Sequence, residues 1–163
     1  MLSQTAEYAL RAVVYLAQHP GEPTTVEQIA KHTQVPVGYL AKILQQLARA
    51  GLTTAQRGLH GGHILTRPPA QITLLDPVMA VDPIHRIDRC PLHITGHGNE
   101  LCPLHRTLDN VIAAVARSLQ AVTVEALLKE TGGTSPLCGC GTEAAKATMP
   151  RDAASGYGGS SLS

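Results

Sequence analysis

Along the first fifty residues the apolar side chains recur at helical spacing. Ala6, Leu10, Val13, Val14 and Ala17 form one stripe of a helix that Ser3 can cap and that stops before His19, Pro20 and Gly21. Thr25 with Gln28 three residues later has the form of a capping box, opening a short second helix through Val26, Ile29 and Ala30 that ends near Thr33. Val35 and Pro36 begin a third helix, with Pro36 in its first turn, Leu40, Ile43, Leu44 and Leu47 on one face and Gly51 as C-terminal cap. Two short helices and a longer one, closely spaced, predict a helix-turn-helix. Beyond Gly51 the pattern becomes strand-like. Leu52 to Gln56 and His63 to Thr66 flank Arg57-Gly58-Leu59-His60-Gly61-Gly62, which predicts a hairpin with a basic, glycine-rich tip, a wing.

Pro68 and Pro69 break the chain. Ile72 to Val81 reads as a short connecting helix capped by Thr73 or Asp76, with Pro77 fitting best if Asp76 is the cap. A loop from about Asp82 to Leu101 precedes a long helix from near Pro103, whose Leu104, Leu108, Val111, Val115 and Val122 repeat in a heptad-like pattern flanked by Ile112 and Leu119. A symmetry mate is the simplest surface to bury that stripe, packing back on its own domain being the alternative. Thr123 starts a final helical stretch through Leu127 and Leu128, and the remainder lacks any apolar period, as a disordered tail does. The expected fold is mainly α with a small β-wing: a winged helix-turn-helix plus a long dimerisation helix. The expected organisation is a DNA-binding domain at 1–67, a connecting helix and linker at 68–87, a cysteine/histidine sensor loop at 88–105, the dimerisation helix region at 103–130 and the tail at 131–163.

Length and composition narrow this picture. At 163 residues one domain with appendages is expected. There is no apolar run long enough for a membrane span, and Glu7 and Arg11 interrupt the first apolar stretch, so a secretory leader is not expected and a cytoplasmic location is. Four cysteines in that setting read as thiols, metal ligands or redox centres. The net charge of +1 hides an excess of basic side chains in the first 67 residues, where Arg11, Lys31, Lys42, Arg49, Arg57 and Arg67 face only Glu7, Glu22 and Glu27. With no Trp or Phe and four Tyr, a stacking platform for single strands is nearly excluded, whereas duplex DNA remains open. No Ser/His/Asp order, nucleotide-binding glycine motif or paired-carboxylate pocket stands out, so no enzyme is expected; a redox or metal-storage enzyme, or a protein–protein module on the same scaffold, are the competing classes.

The residues resemble the IscR/NsrR-type regulators of the Rrf2 family over about 1–130. The likeness rests on Glu7-Tyr8-Ala9-Leu10-Arg11-Ala12, Gly38-Tyr39-Leu40-Ala41-Lys42, Arg49-Ala50-Gly51-Leu52, Arg57-Gly58 with Gly61-Gly62, Ile72-Thr73-Leu74-Leu75-Asp76, and a cysteine-bearing loop before a long helix. The resemblance implies homodimers that bind palindromic promoter DNA, commonly as repressors, switched by an iron–sulfur cluster that senses cluster supply, iron, nitric oxide or redox state. It places Gly38, Tyr39 and Lys42 in the recognition helix and Arg57, Gly58, His60, Gly61 and Gly62 at the wing tip. Lys42 suits a phosphate, Arg57 a phosphate or minor-groove edge, and Tyr39 either backbone or base. Gly38 and Ala41 stand where some relatives have polar residues, and neither offers a hydrogen bond to a base edge.

Cluster-binding members usually present three loop cysteines; here Cys90 and Cys102 occupy the outer positions and Gly96 the middle one. The missing donor has several candidates. His105 matches the histidine ligand of IscR-like members and lies at i+3 from Cys102. Glu7 matches a carboxylate supplied by the first helix of the other subunit in some relatives, His32 matches a ligand in a redox-sensing 2Fe–2S branch, and His93 and His97 lie in the loop itself. Two thiolates with nitrogen or oxygen donors favour 2Fe–2S over 4Fe–4S. The same string also fits a Cys2His2 zinc site, and metal-free thiols are a third reading. Cys138 and Cys140 have no family counterpart; the pair suits a soft metal, a strained disulfide or two exposed thiols.

Overall fold

The computed structural model describes residues 2–58, 61–90 and 101–130. Helix α1 runs Gln4–Gln18, with Ser3 Oγ accepting the Ala6 N–H at 3.2 Å. Helix α2 is Val26–Thr33, and both halves of its capping box form: Gln28 N–H to Thr25 Oγ1 at 3.3 Å, and Thr25 N–H to Gln28 Oε1 at 2.9 Å. Helix α3, Val37–Arg49, follows a turn that puts Gln34 at φ 57. It buries Leu40, Ile43, Leu44 and Leu47, each side chain worth roughly 1.5–3 kcal/mol relative to exposure. Strands β1, Thr53–Gln56, and β2, Gly62–Leu65, form an antiparallel hairpin with Thr53 opposite Leu65 and Gln56 opposite Gly62.

The hairpin is fastened to the helices by a backbone bridge. His63 N–H donates to Thr24 O at 2.8 Å and Thr24 N–H to His63 O at 3.1 Å. This explains a glycine. A Cβ on Gly62 would stand 2.5 Å from Thr24 N, and one on Gly61 would stand 2.5 Å from Gln56 O, so both glycines are required by the chain's own packing.

The second half departs from the expected pattern in two places. Helix α4 is Leu75–Val81, not Ile72 to Val81, and Asp76 is not its cap. Asp76 lies within the first turn and its carboxylate reaches back to the Thr73 N–H at 2.7 Å and hydroxyl at 2.9 Å; Pro77 is accommodated because first-turn N–H groups have no helical acceptor. Ile72 is extended instead, and the segment 72–74 pairs with the segment at 122–124: Leu74 N–H to Val122 O at 2.9 Å and Val124 N–H to Ile72 O at 2.8 Å. Val122 therefore leaves the expected heptad, since helix α5, Pro103–Gln120, has already ended. A 3-10 turn at Pro69–Gln71 was not foreseen.

Helix α6, Val124–Glu130, returns to the core. Val124 and Ile72 are buried in the same cluster as Ala9, Leu16, Ile29 and Leu40. Helix α5 turns Asp109 and Ala113 inward toward α4 and leaves Leu104, Leu108, Val111 and Val115 between 43% and 61% exposed. Among the described residues no helix is long and apolar enough to cross a membrane. The expected tail at 131–163 lies outside the described residues.

Gly62→Ala should lower stability by about 1–3 kcal/mol, because the added carbon meets backbone that cannot move aside. Gly38→Ala, whose Cβ would meet open space on α3, should be neutral or stabilising by up to about 1 kcal/mol. Urea unfolding of both variants checks the pair; equal effects would contradict the packing explanation.

Candidate functional site

Two thiols and an imidazole converge at the start of α5. Cys102 occupies the N-cap, Pro103 the first helical position, and His105 faces the same way one turn on. Cys102 Sγ lies 3.1 Å and Cys90 Sγ 3.6 Å from His105 Nδ1, and the three donor atoms all fall within 4.8 Å of one another. Cys102 titrates at about 7, below the ordinary thiol, because the backbone N–H of His105 and then its imidazole favour the thiolate. The dipole of α5, positive at this end, acts in the same sense.

Cys90 reaches this place from a segment without regular structure. One turn beyond His105, Asp109 accepts from Arg86 Nε at 2.6 Å and Nη2 at 2.5 Å and from the Ile87 N–H at 2.9 Å. The Asp109 side chain is 11% exposed and its carboxylate is held at about 2, first by the Arg86 hydrogen bonds and then by the Ile87 N–H, against the opposing effect of burial. Neither Arg86 nor Asp109 was singled out in the sequence. The one available signal was a carboxylate on the inward side of an amphipathic helix, which periodicity alone does not separate from a solvated charge.

The other expected donors stand elsewhere. Glu7 forms an ion pair with Arg11 on the next turn of α1, and Arg11 Nη1 donates to Thr33 O at 3.2 Å. His32 stacks on Tyr15 with ring centroids 5.0 Å apart, its Nδ1 2.8 Å from Gln28 O. Among the described residues the donor group contains Cys90, Cys102 and His105 only. His93, His97, Cys138 and Cys140 lie outside the described residues.

A second candidate surface is the outer face of α3 with the hairpin. Gly38, Tyr39, Ala41, Lys42 and Gln45 are exposed, as is Arg57 where β1 enters the tip, and Gly58 takes φ 124 there. His60 lies outside the described residues. Tyr39 also braces α3 against α1: its hydroxyl is 3.0 Å from Thr5 Oγ1 and its ring meets Tyr8 edge-on at 5.9 Å. Lys42, Gln45 and His63 line an open cleft of about 440 Å³ between α3 and the hairpin. Burial pushes the His63 pKa down, which disfavours the charged imidazolium in the cleft. Gln45 and His63 were missed in the sequence, because their juxtaposition needs the hairpin folded against α3.

The model of the Rrf2 family, described as iron-dependent transcriptional regulator, matches residues 2–130. Among solved structures, the chain is similar to T. potens IscR, with 25% identity over 80% of this chain and 88% of that one and a TM-score of 0.67. It is also similar to CymR (YrzC), the global cysteine regulator of B. subtilis, with 27% identity over 79% and 96% of the two chains and a TM-score of 0.64. Oxidized CymR of Staphylococcus aureus shares the fold at 23% identity, covering 78% and 94%, with a TM-score of 0.62.

The Asp109 pKa has a direct consequence for acid stability. Its folded value of about 2 lies below the ordinary 3.8, so its stabilisation is complete above about pH 4 and is lost as pH falls through about 2. Urea unfolding at pH 5 and pH 2.5 should show a smaller acid loss in Asp109→Asn than in wild type. An identical loss in both would remove the carboxylate from the acid transition.

Proposed function

The chain belongs to the Rrf2 family of transcriptional regulators, and from that premise we propose that it is a homodimeric, winged-helix DNA-binding repressor whose Cys90, Cys102 and His105 hold an iron–sulfur cluster. The observation that carries this reading is the convergence of two thiols and one imidazole, from two separate segments, within 4.8 Å. Thiolates with an imidazole suit iron–sulfur chemistry, and two thiolates favour 2Fe–2S. The fourth donor falls to Glu7, His32, His93 or His97. Such a cluster, when bound, supplies a centre that responds to redox state, nitric oxide or iron supply.

The chain's own residues connect that centre to DNA. Cys90 stands on the segment leaving α4, while Cys102 and His105 stand on the first turn of α5, so occupancy holds linker and helix together. Helix α4 packs on both α1 and α3, the second of which carries the candidate DNA surface. Lys42 and Arg57 supply contacts to phosphates of a palindromic operator, with Gly58, Gly61 and Gly62 shaping the wing between them. The exposed stripe Leu104, Leu108, Val111 and Val115 supports pairing of two α5 helices, which sets the separation of the two reading heads. Regulation then requires that one state of the centre bind DNA better than the other.

A zinc- or thiol-based regulator of the same fold is the second reading, favoured by the same donors, which also match tetrahedral zinc chemistry.

Protein prepared without oxygen and supplied with iron and sulfide should show visible absorption and acid-labile sulfide, both lost in Cys102→Ser. Colourless protein carrying stoichiometric zinc would move the assignment to the second reading. Lys42→Ala and Arg57→Ala should each weaken binding to the upstream promoter DNA for all sequences and lower the salt slope by about one, with metal content unchanged. If no metal or redox state gives salt-sensitive DNA binding, the regulator reading fails. Leu108→Glu with Val115→Glu should halve the mass seen by light scattering; an unchanged dimer would place the interface elsewhere.

A further inference from the structure

We infer that Asp109 is the positioning residue that assembles the donor set: its carboxylate anchors Arg86 and Ile87 to α5 and thereby delivers Cys90 to Cys102 and His105. The inference rests on the reading of these three side chains as one donor set and assigns its assembly to a residue outside it.

Cys102 and His105 need no such help, because both belong to the start of one helix and their separation is fixed by its geometry. Cys90 is different. It lies on a segment that leaves α4 at Val81 and, through residue 90, has no helix or strand of its own. The described hydrogen bonds that tie this segment to α5 backbone or side chains, apart from those of Cys90 itself, all end on the Asp109 carboxylate. Their geometry is directional: a guanidinium placed side-on across both oxygens, plus a backbone N–H from the next residue, fixes orientation as well as distance. Asp109 sits four residues after His105, so anchor and imidazole share one face of α5 and lie about 6 Å apart along its axis. From Ile87, the three residues to Cys90 span at most about 10 Å, enough to bridge that offset while keeping Cys90 near the start of α5. Without the anchor, the last described tie before Cys90 would be the Ile84 N–H to Met79 Sδ at 3.3 Å.

Asp109 adds no donor atom. Its carboxylate is satisfied by Arg86 and Ile87 and lies outside the donor group. Its part is that of outer-shell partners in metal sites generally, whose loss typically costs 10–100-fold in affinity.

The test uses full-length, reduced protein with Cys138→Ser and Cys140→Ser, so that tail thiols contribute nothing, and Co(II) as the probe. Asp109→Asn should bind Co(II) at least about 10-fold more weakly than wild type. Its thiolate-to-cobalt charge-transfer band should fall to about half, one thiolate in place of two. In metal-free protein, diamide should form the Cys90–Cys102 disulfide more slowly by a comparable factor. Asp109→Glu should recover part of each readout, and far-UV circular dichroism should be unchanged throughout. Full charge-transfer intensity and wild-type affinity in Asp109→Asn would overturn the inference. If that variant does not fold, Arg86→Gln, at a side chain 56% exposed, decides in its place by the same two readouts. If wild type takes up no Co(II), the donor-set reading fails; positioning is then judged by the disulfide rate, and equal rates in wild type and Asp109→Asn would overturn it.

Discussion

Everything in this chain rests on how closely α1 can be approached. Ala6, Ala9 and Ala12 are fully buried and Ala17 nearly so, and the small side chains let α2, α3, α4, α6 and β2 all lie against a single fifteen-residue helix. Helix axes can come nearer where the contact side chains are small. The result is one core shared by the reading head and the returning C-terminal helix, with Ile72 and Val124 packed into the cluster that holds Leu16, Ile29 and Leu40. A displacement of α4 is therefore felt directly by α1 and α3, with no linker between them to absorb it.

The donor site is built on a different principle. Its framework is electrostatic: Asp109 stays ionised at any pH near neutrality, so the Arg86 contact persists under conditions that alter the donors. Cys102, its pKa lowered to about 7 by the contacts with His105, is the group that changes charge near neutrality. Constant scaffold and variable chemistry are thus carried by different side chains only a helical turn or two apart on α5. That division allows the thiols to change state without unfastening the segment that brings one of them there.

Much of this architecture was legible in the residues because it is locally encoded. The Thr25/Gln28 capping box, the Leu40-Ile43-Leu44-Leu47 face and the positive-φ Gly51 each settle their own turn of chain, and the hairpin and the α5 start at Cys102 followed. The pairing of Cys102 with His105 was readable for the same reason. What escaped depends on contacts distant in sequence. Asp76 looks like a cap until Thr73 is drawn into pairing with the segment at 122–124. Val122 fits a heptad until Leu74 takes its carbonyl. Asp109 matters because Arg86, twenty-three residues earlier, reaches it. The wing glycines show the converse: their presence was evident, but the backbone of Thr24 pressing on Gly62 was not.

The double backbone bond between residues 72–74 and 122–124 gives α5 a fixed pivot. The helix has 18 residues, and at 1.5 Å per residue it is about 27 Å long. A tilt of about 10° at the pivot would carry the Cys102 end through about 5 Å over that length. The bridge at one end and the thiols at the other thus make α5 a lever arm, in which sub-ångström adjustments near the hinge correspond to several times that travel at the donor site. The mechanical advantage runs both ways: a displacement of about 1 Å at the Cys102 end corresponds to a turn of only about 2° at the hinge.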